Sequence, residues 1–307
     1  MKHKLISAKV IADSVCPKGV RMTTMEIEYP RFILAELNTH RMLSKNSASS
    51  RAIPVKAMHE FIRANPATPV SWGKNQPGMK ANEEVGSSVA VEAEQLWNRA
   101  KEDALHWADA LAHKLTVHKQ IANRITEPWM TMKTVISGTE WANFFHLRNH
   151  ADAQPEIKAL AEAMTVAYTT HLPVELKPGE WHLPYITIAQ YVPTNELQYF
   201  DENFNRLSLE DAKIISASCC AQVSYRKNDP TFSKAFKIWE QLIENDPVHA
   251  SPIEHQATPM DVDSMCRFEP DTWQPGVTHV SANSDLWSGN LRGWIQHRKL
   301  IRSEAVW

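Results

Sequence analysis

Residues 23–38, TTMEIEYPRFILAELN, most constrain how this chain folds. The stretch opens with the alternation of a half-buried strand and passes through Pro30 into an apolar, helix-like run. Proline has no amide proton for a ladder, so the strand must stop near it. Directly after FILAEL comes THRMLSKNSASSR (39–51), which has almost nothing to bury. His40, Arg41, Lys45 and Arg51 bring basic groups, and Thr39, Ser44, Ser47, Ser49 and Ser50 bring hydroxyls. That set suits an anionic, hydroxyl-bearing ligand such as a nucleotide, or else a solvated loop built on turn-forming serines.

The rest of the chain is mostly helical in pattern. Residues 65–87 gather prolines, glycines and polar groups and read as a long surface loop. Ala93, Leu96, Trp97, Ala100, Ala104, Trp107, Ala108, Leu111 and Leu115 recur at steps of three and four, predicting a long helix. VHKQIANRI predicts a second helical piece ending before Pro128. TEWANFFHLR predicts a helix capped by Thr139, and Pro155 suits the first turn of PEIKALAEAMTVAYTTH. LKPGEWHLPYI is a breaker-rich connector, while LEDAKIISASCCAQVSY and FSKAFKIWEQLIEN are helical. In the basic tail NLRGWIQHRKLIR, Arg292, His297, Arg298 and Lys299 either cover a ligand entrance or flank a helix packing Trp294 and Ile295 inward. The mixture predicts α/β or α+β, with long helices and few strands.

Several chemistries have no foothold. A formal net charge of −2 gives no bulk attraction to nucleic acid or to an acidic membrane. No apolar run reaches the roughly 18 residues of a membrane span, and MKHKLISAKVIADS lacks a signal peptide's apolar stretch, so a cytoplasmic location is expected. Cys16, Cys219, Cys220 and Cys266 are too few for a disulfide framework and read as reduced, buried thiols. With 9 glycines there is neither G-x-G-x-x-G nor a P-loop, and no G-x-S-x-G elbow. His146 and His150 are four apart, but Leu147 stands where a zincin needs glutamate, so no metal is expected.

The polar segment resembles the signature of the flavin-dependent thymidylate synthases (ThyX), R-H-R-x-x-S-x-N-E-x-S-x-R. His40, Arg41, Ser44, Asn46, Ser49 and Arg51 match in register, while Thr39 replaces the first arginine and Ser47 the glutamate. EIEYPRFILAEL resembles the family's strand, proline and helix before that signature. VHKQIANRITEP resembles the helix with a phosphate-binding arginine, here Arg124. EWANFFHLR and DAQPEI resemble N-F-L-x-L-R and H-A-Q-x-E-I, retaining Asn143, Arg148, Gln154 and Glu156. Family members begin with A-R-V-S-[YF], a helix and H-x-[ST]-P-F-E-H. Here AQVSYRKND, FSKAFKIWEQLIEN and VHASPIEH come after position 220, an order that implies circular permutation.

The resemblance implies an α/β (α+β) fold with a central mixed sheet flanked by long helices. It divides the chain into a ThyX-like core, 1–190, and a permuted segment plus tail, 191–307, packed into the same domain. It also implies FAD, 5,10-methylenetetrahydrofolate and NADPH, with a carbon unit and then a hydride passing to C5 of dUMP. The assembly is expected to be a homotetramer, or a homodimer, with shared active sites. No nucleic acid or membrane partner is implied, and a phage-encoded member would work in the host cytoplasm.

Residue by residue, Ser47, Ser49, Ser50 and Arg51 fall around the nucleotide's sugar and phosphate. Arg124 is a second phosphate cation or an ordinary helix-end arginine. Arg148 is the implied catalytic residue, meeting O2 and N3 of the base and favouring the N3-deprotonated ring. Its alternative is an ion pair with Glu140 or Asp152. Thr39, His40, Arg41, Ser137, Thr139, Asn143 and Ser251 fall where the family holds FAD. His249 falls where folate stacks, or is a surface loop histidine. Glu36 stands where the family has glutamine, and could meet a cytosine amine, a sugar hydroxyl or a nearby arginine. Three functions follow: methylation of dUMP to dTMP; methylation or hydroxymethylation of dUMP or dCMP for modified DNA; or a non-catalytic nucleotide- or flavin-binding relative.

Overall fold

The alternating stretch does form a strand, with Met25, Ile27 and Tyr29 fully enclosed on one side. A computed structural model describes residues 5–194, 196–226, 228–302 and 304–305. Its central sheet consists of β1 (Ser7–Val15), β2 (Arg21–Pro30), β3 (Ser44–Ser47), β4 (Thr131–Gly138) and β5 (Val174–Glu175). The order is β3–β4–β2–β1–β5, antiparallel throughout except for the parallel β1–β5 edge. The sequence pattern did not reveal β1, because a register shift between Val10 and Ala12 interrupts its alternation.

The helices are α1 (Leu34–Asn38), α2 (Val55–Ala64), α3 (Ser87–Asp109), α4 (Lys119–Ala122), α5 (Trp141–Arg148), α6 (Pro155–Thr170), α7 (Leu209–Gln222) and α8 (Phe232–Trp239). Gln154 starts α6 by accepting from the amides of Glu156 and Ile157, with Pro155 at the first position. From there α6 crosses β1 and β2 and buries Ile157, Leu160 and Met164 against Met25, Ile27 and Tyr29. β4 serves two cores: Met132 and Ile136 face α6, while Val135 packs with Cys220 and Val223 on the other side. α7 also packs on Trp181, Leu183 and Tyr199, beside a small sheet of β6 (Thr187–Tyr191), β7 (Glu196–Phe200) and β8 (Arg206–Leu207).

Strands are more numerous than expected, because many are only two or three residues long. β9 (Ala257–Pro259) pairs with β13 (Trp294–Gln296), and β10 (His279–Val280), β11 (Leu286–Ser288) and β12 (Leu291–Arg292) form another sheet. The tail is therefore strand and 3-10 turn, not a helix, although Trp294 and Ile295 are buried as expected. α3 begins earlier than its apolar spacing predicts, buries Ala104, Leu105 and Ala108, and leaves Leu96 and Trp107 exposed. Loop 65–87 is irregular but anchored: Trp97 donates to the Ala67 carbonyl at 3.0 Å, and Glu156 accepts from the Val70 amide at 2.7 Å. Cys266 is exposed, against expectation; Cys16, Cys219 and Cys220 are buried. Among the described residues no helix is long and apolar enough to cross a membrane.

Candidate active site

The end of α1 and the end of α5 create the first cluster. After Asn38 the chain turns, with the Thr39 amide on the Glu36 carbonyl and the His40 amide on the Leu37 carbonyl, and then enters β3. Arg148, the last residue of α5, donates from Nε to His40 Nε2 at 2.8 Å and from Nη2 to Thr39 Oγ1 at 3.0 Å. Thr39 Oγ1 in turn donates to the Glu36 carbonyl at 2.7 Å. His40 can accept only as a neutral ring: burial, Arg148 and Lys45 push its pKa down to about 4. Lys45 donates to the carbonyls of His40 and Leu43, and burial lowers its pKa to about 8 against the pull of Glu254. Arg148 pairs with neither acid proposed for it, since Glu140 holds Arg292 and Asp152 faces His150.

The second cluster gathers on Glu127. Its Oε1 accepts from Ser50 Oγ at 2.9 Å, from Arg124 Nη1 at 3.0 Å and lies 3.0 Å from Arg31 Nη2. Asn123, wholly buried, fixes this loop by donating to the carbonyls of Ser50 and Ile53. Arg51 is exposed next to Ser50, and the Ser49 hydroxyl accepts from the Arg51 amide. Ser47 bonds Thr134 at 2.8 Å. Ser50 and Arg124 thus come together, with Arg31 as a third guanidinium. Arg31 and Glu127 escaped the sequence reading; Arg31 directly follows the strand-ending Pro30, a position that could have flagged it.

β3 separates the two clusters. Thr39 and His40 precede it and Ser49–Arg51 follow it, about 13 Å of strand away. Among the described residues no hydrogen bond or ion pair links Arg148 to Arg51 or Arg124. A cavity of about 740 Å³ lies elsewhere, between loop 65–87, Trp97 and the start of α6, and contains neither cluster.

The positions expected at the cofactor divide. Arg41, Asn143, His249 and Ser251 are exposed. Ser137 is wholly enclosed in a buried chain: Ser14 to His182 Nδ1 at 2.9 Å, His182 Nε2 to Thr24 at 2.8 Å, Thr24 to Ser137 at 2.6 Å, and Ser137 to His255 Nδ1 at 2.8 Å. Thr139 does not cap α5; its hydroxyl accepts from the Arg292 amide at 3.2 Å. The hydroxyls of Ser137 and Thr139 are thus engaged by protein partners. The tail closes over this edge as well, with Asn290 Nδ2 donating to the Met42 carbonyl and to Ser44. No group of three or more metal-ligating side chains occurs among the described residues.

The family model of the thymidylate synthase complementing protein matches residues 20–174. No curated protein matches the chain. Among solved structures, the UMP/dUMP methylase PolB of Streptomyces cacaoi bound with 5-Br UMP is 17% identical, at a TM-score of 0.43 over 54% of this chain and 89% of that one. Helicobacter pylori ThyX with FAD and dUMP is 18% identical, at a TM-score of 0.33 over 48% and 67%. The matched 20–174 span takes in the signature strand, Arg124 and Arg148 and amounts to just over half of the 307 residues. On that match, the chain belongs to the thymidylate synthase complementing protein (ThyX) family of enzymes.

Proposed function

We propose that this enzyme transfers a one-carbon unit to C5 of a pyrimidine deoxynucleoside monophosphate, with FAD, 5,10-methylenetetrahydrofolate and NADPH. For dUMP, the substrate that family membership implies, the product is dTMP. The observation that carries this reading is Arg148, a guanidinium fixed by His40 and Thr39 and paired with no carboxylate among the described residues. Nε and Nη2 are engaged, so Nη1 is the edge left to meet a base. Placed at O2 and N3, its charge stabilises the N3-deprotonated ring and raises electron density at C5. His40, neutral, orients that charge without opposing it.

The phosphate falls to Arg51 and Arg124, with Ser49 and Ser50. The Arg124–Glu127 pair is half exposed and worth under about 1 kcal/mol, so Arg124 is free to turn to a dianion. The donor set at Arg41, Asn143, Ser251 and His249 fits an anionic dinucleotide cofactor, with His249 beside the folate. Bound FAD would carry the carbon unit and the hydride. No thiol is then needed: Cys219 is pushed up to about 12 by burial, and no cysteine joins either cluster.

Two further features belong to this reading. Segment 220–255 is read as the family's relocated N-terminal segment: Ser224 accepts from the Ser49 amide at 3.1 Å and His255 bonds Ser137. Arg148 and Arg124 belong to separate side-chain clusters, and in this reading each complete site takes its two clusters from different copies of a homo-oligomer.

Purified protein should be yellow, with flavin absorbance. With methylenetetrahydrofolate, NADPH and nucleotide it should yield a product heavier by a methyl group. A hydroxymethyl product formed without NADPH oxidation would point to water addition in place of hydride transfer. Colourless protein with no product would remove the enzymatic reading.

A further inference from the structure

Three donors from three segments of the chain close on one oxygen of Glu127. They are Ser50 Oγ at 2.9 Å, Arg124 Nη1 at 3.0 Å and Arg31 Nη2 at 3.0 Å. A hydroxyl and two guanidinium groups around one anionic oxygen are also the donor set that a phosphate oxygen takes. Arg31 is the more enclosed cation, its side chain 16% exposed against 51% for Arg124. Its amide is fixed on the Met130 carbonyl at 2.9 Å, and its Nη1 donates to the sulfur of Met132, a weak acceptor. This guanidinium therefore has room for a stronger partner. The Glu127 side chain is partly open to solvent, while its carbonyl is held by the Met130 amide at 3.1 Å. The carboxylate can thus leave by turning about its own side-chain bonds, with the backbone in place.

We propose that Glu127 is a displaceable internal anion, holding Ser50, Arg124 and Arg31 until the phosphate of a nucleotide takes them, and that Arg31 is a third phosphate cation. A phosphate monoester brings about two negative charges and three acceptor oxygens, against one charge and one shared oxygen on Glu127, so the exchange runs toward phosphate. A nucleoside has no group to displace the carboxylate, and the device separates nucleoside monophosphates from nucleosides. The inference rests on the proposal above that Arg124 and Ser50 meet the phosphate, and adds to it the roles of Arg31 and Glu127.

The test titrates flavin-loaded, full-length protein with dUMP and with deoxyuridine by calorimetry. The wild type is compared with Glu127→Gln, Arg31→Ala, Arg31→Lys and Arg124→Ala. Glu127→Gln, which keeps the shape and loses the charge, should bind dUMP about tenfold more tightly, the scale of one charged hydrogen bond. Arg31→Ala should bind dUMP about tenfold more weakly, and Arg31→Lys should recover part of that loss. Deoxyuridine binding should be the same in all of them. Unchanged or weaker dUMP binding by Glu127→Gln would overturn the displacement, as would an equal change for deoxyuridine. Full dUMP affinity in Arg31→Ala would remove Arg31 from the phosphate. If Arg124→Ala lost nothing either, the phosphate reading itself would fail; a loss at Arg124 alone would leave that reading standing.

Discussion

His40 shows how one side chain ties folding to function. Its ring accepts from Arg148 only while neutral, and its pKa of about 4 keeps it so across the physiological range. His182, at about 4, and His255, at about 3, are lowered further inside by complete burial. A histidine whose folded pKa lies below its unfolded value of about 6.5 gains its proton first in the unfolded chain. The contribution of these histidines to stability should therefore fall as pH drops from about 6.5 toward about 3, where the last of them is protonated in the folded chain too. For wholly enclosed His182 the loss is on the order of 3 kcal/mol. Denaturant midpoints measured between pH 7.5 and 4.5 should show this slope, and His182→Gln should be less stable at pH 7.5 yet shallower in slope. An unchanged slope would clear His182 of the effect. For Arg148, alanine should lower kcat/KM by about a hundredfold or more, and lysine should not restore it, because an ammonium lacks the planar fork that holds His40 and Thr39 together. Flavin binding should survive both changes.

The tail is held to the core by its short strands. β12 and β13 are separated only by Gly293, whose φ of +71° suits glycine, and β13 exists by pairing with β9. Trp294 is fully enclosed there and donates from its indole to the Val20 carbonyl at 3.1 Å. Trp294→Ala should cost about 3–5 kcal/mol in chemical denaturation, whereas Arg292→Ala, losing a half-buried pair with Glu140, should cost about 1 kcal/mol or less. A tail hairpin that merely drapes the core would show neither difference. Its strands were illegible in sequence for a physical reason: period-two alternation needs four or more residues to register, and these have two or three. Contiguity made other parts readable. The signature residues 40–51 lie on one turn and one strand, and Gln154 and Pro155 announce α6 locally. Glu127, by contrast, collects Ser50, Arg124 and Arg31 from three separate segments, a meeting that only the fold produces.

The homo-oligomer proposed above needs a surface on which a second copy could seat beside both clusters. Leu147, 48% exposed, precedes Arg148, and Met42, 42% exposed, follows two residues after His40; flanking Arg124 are Ile121, 54%, and Ile125, 38%. α3 adds exposed Leu96 and Trp107. Single exposed apolar residues are ordinary, but several of these border the two clusters, and in the proposed homo-oligomer a second copy would cover them. A two-fold interface makes that exchange reciprocal, each copy lending one cluster and receiving the other. Arg51→Ala and Arg148→Ala should then each be inactive alone yet recover activity when co-refolded. In a mixed dimer one site collects both lesions and the other collects none. Random pairing makes half of the dimers mixed, so about a quarter of wild-type activity should return. Sedimentation would confirm that the mixed oligomers form. Mixed oligomers that remain inactive would show that each chain completes its own site, and the two guanidinium clusters would then have to close on one another within a single copy.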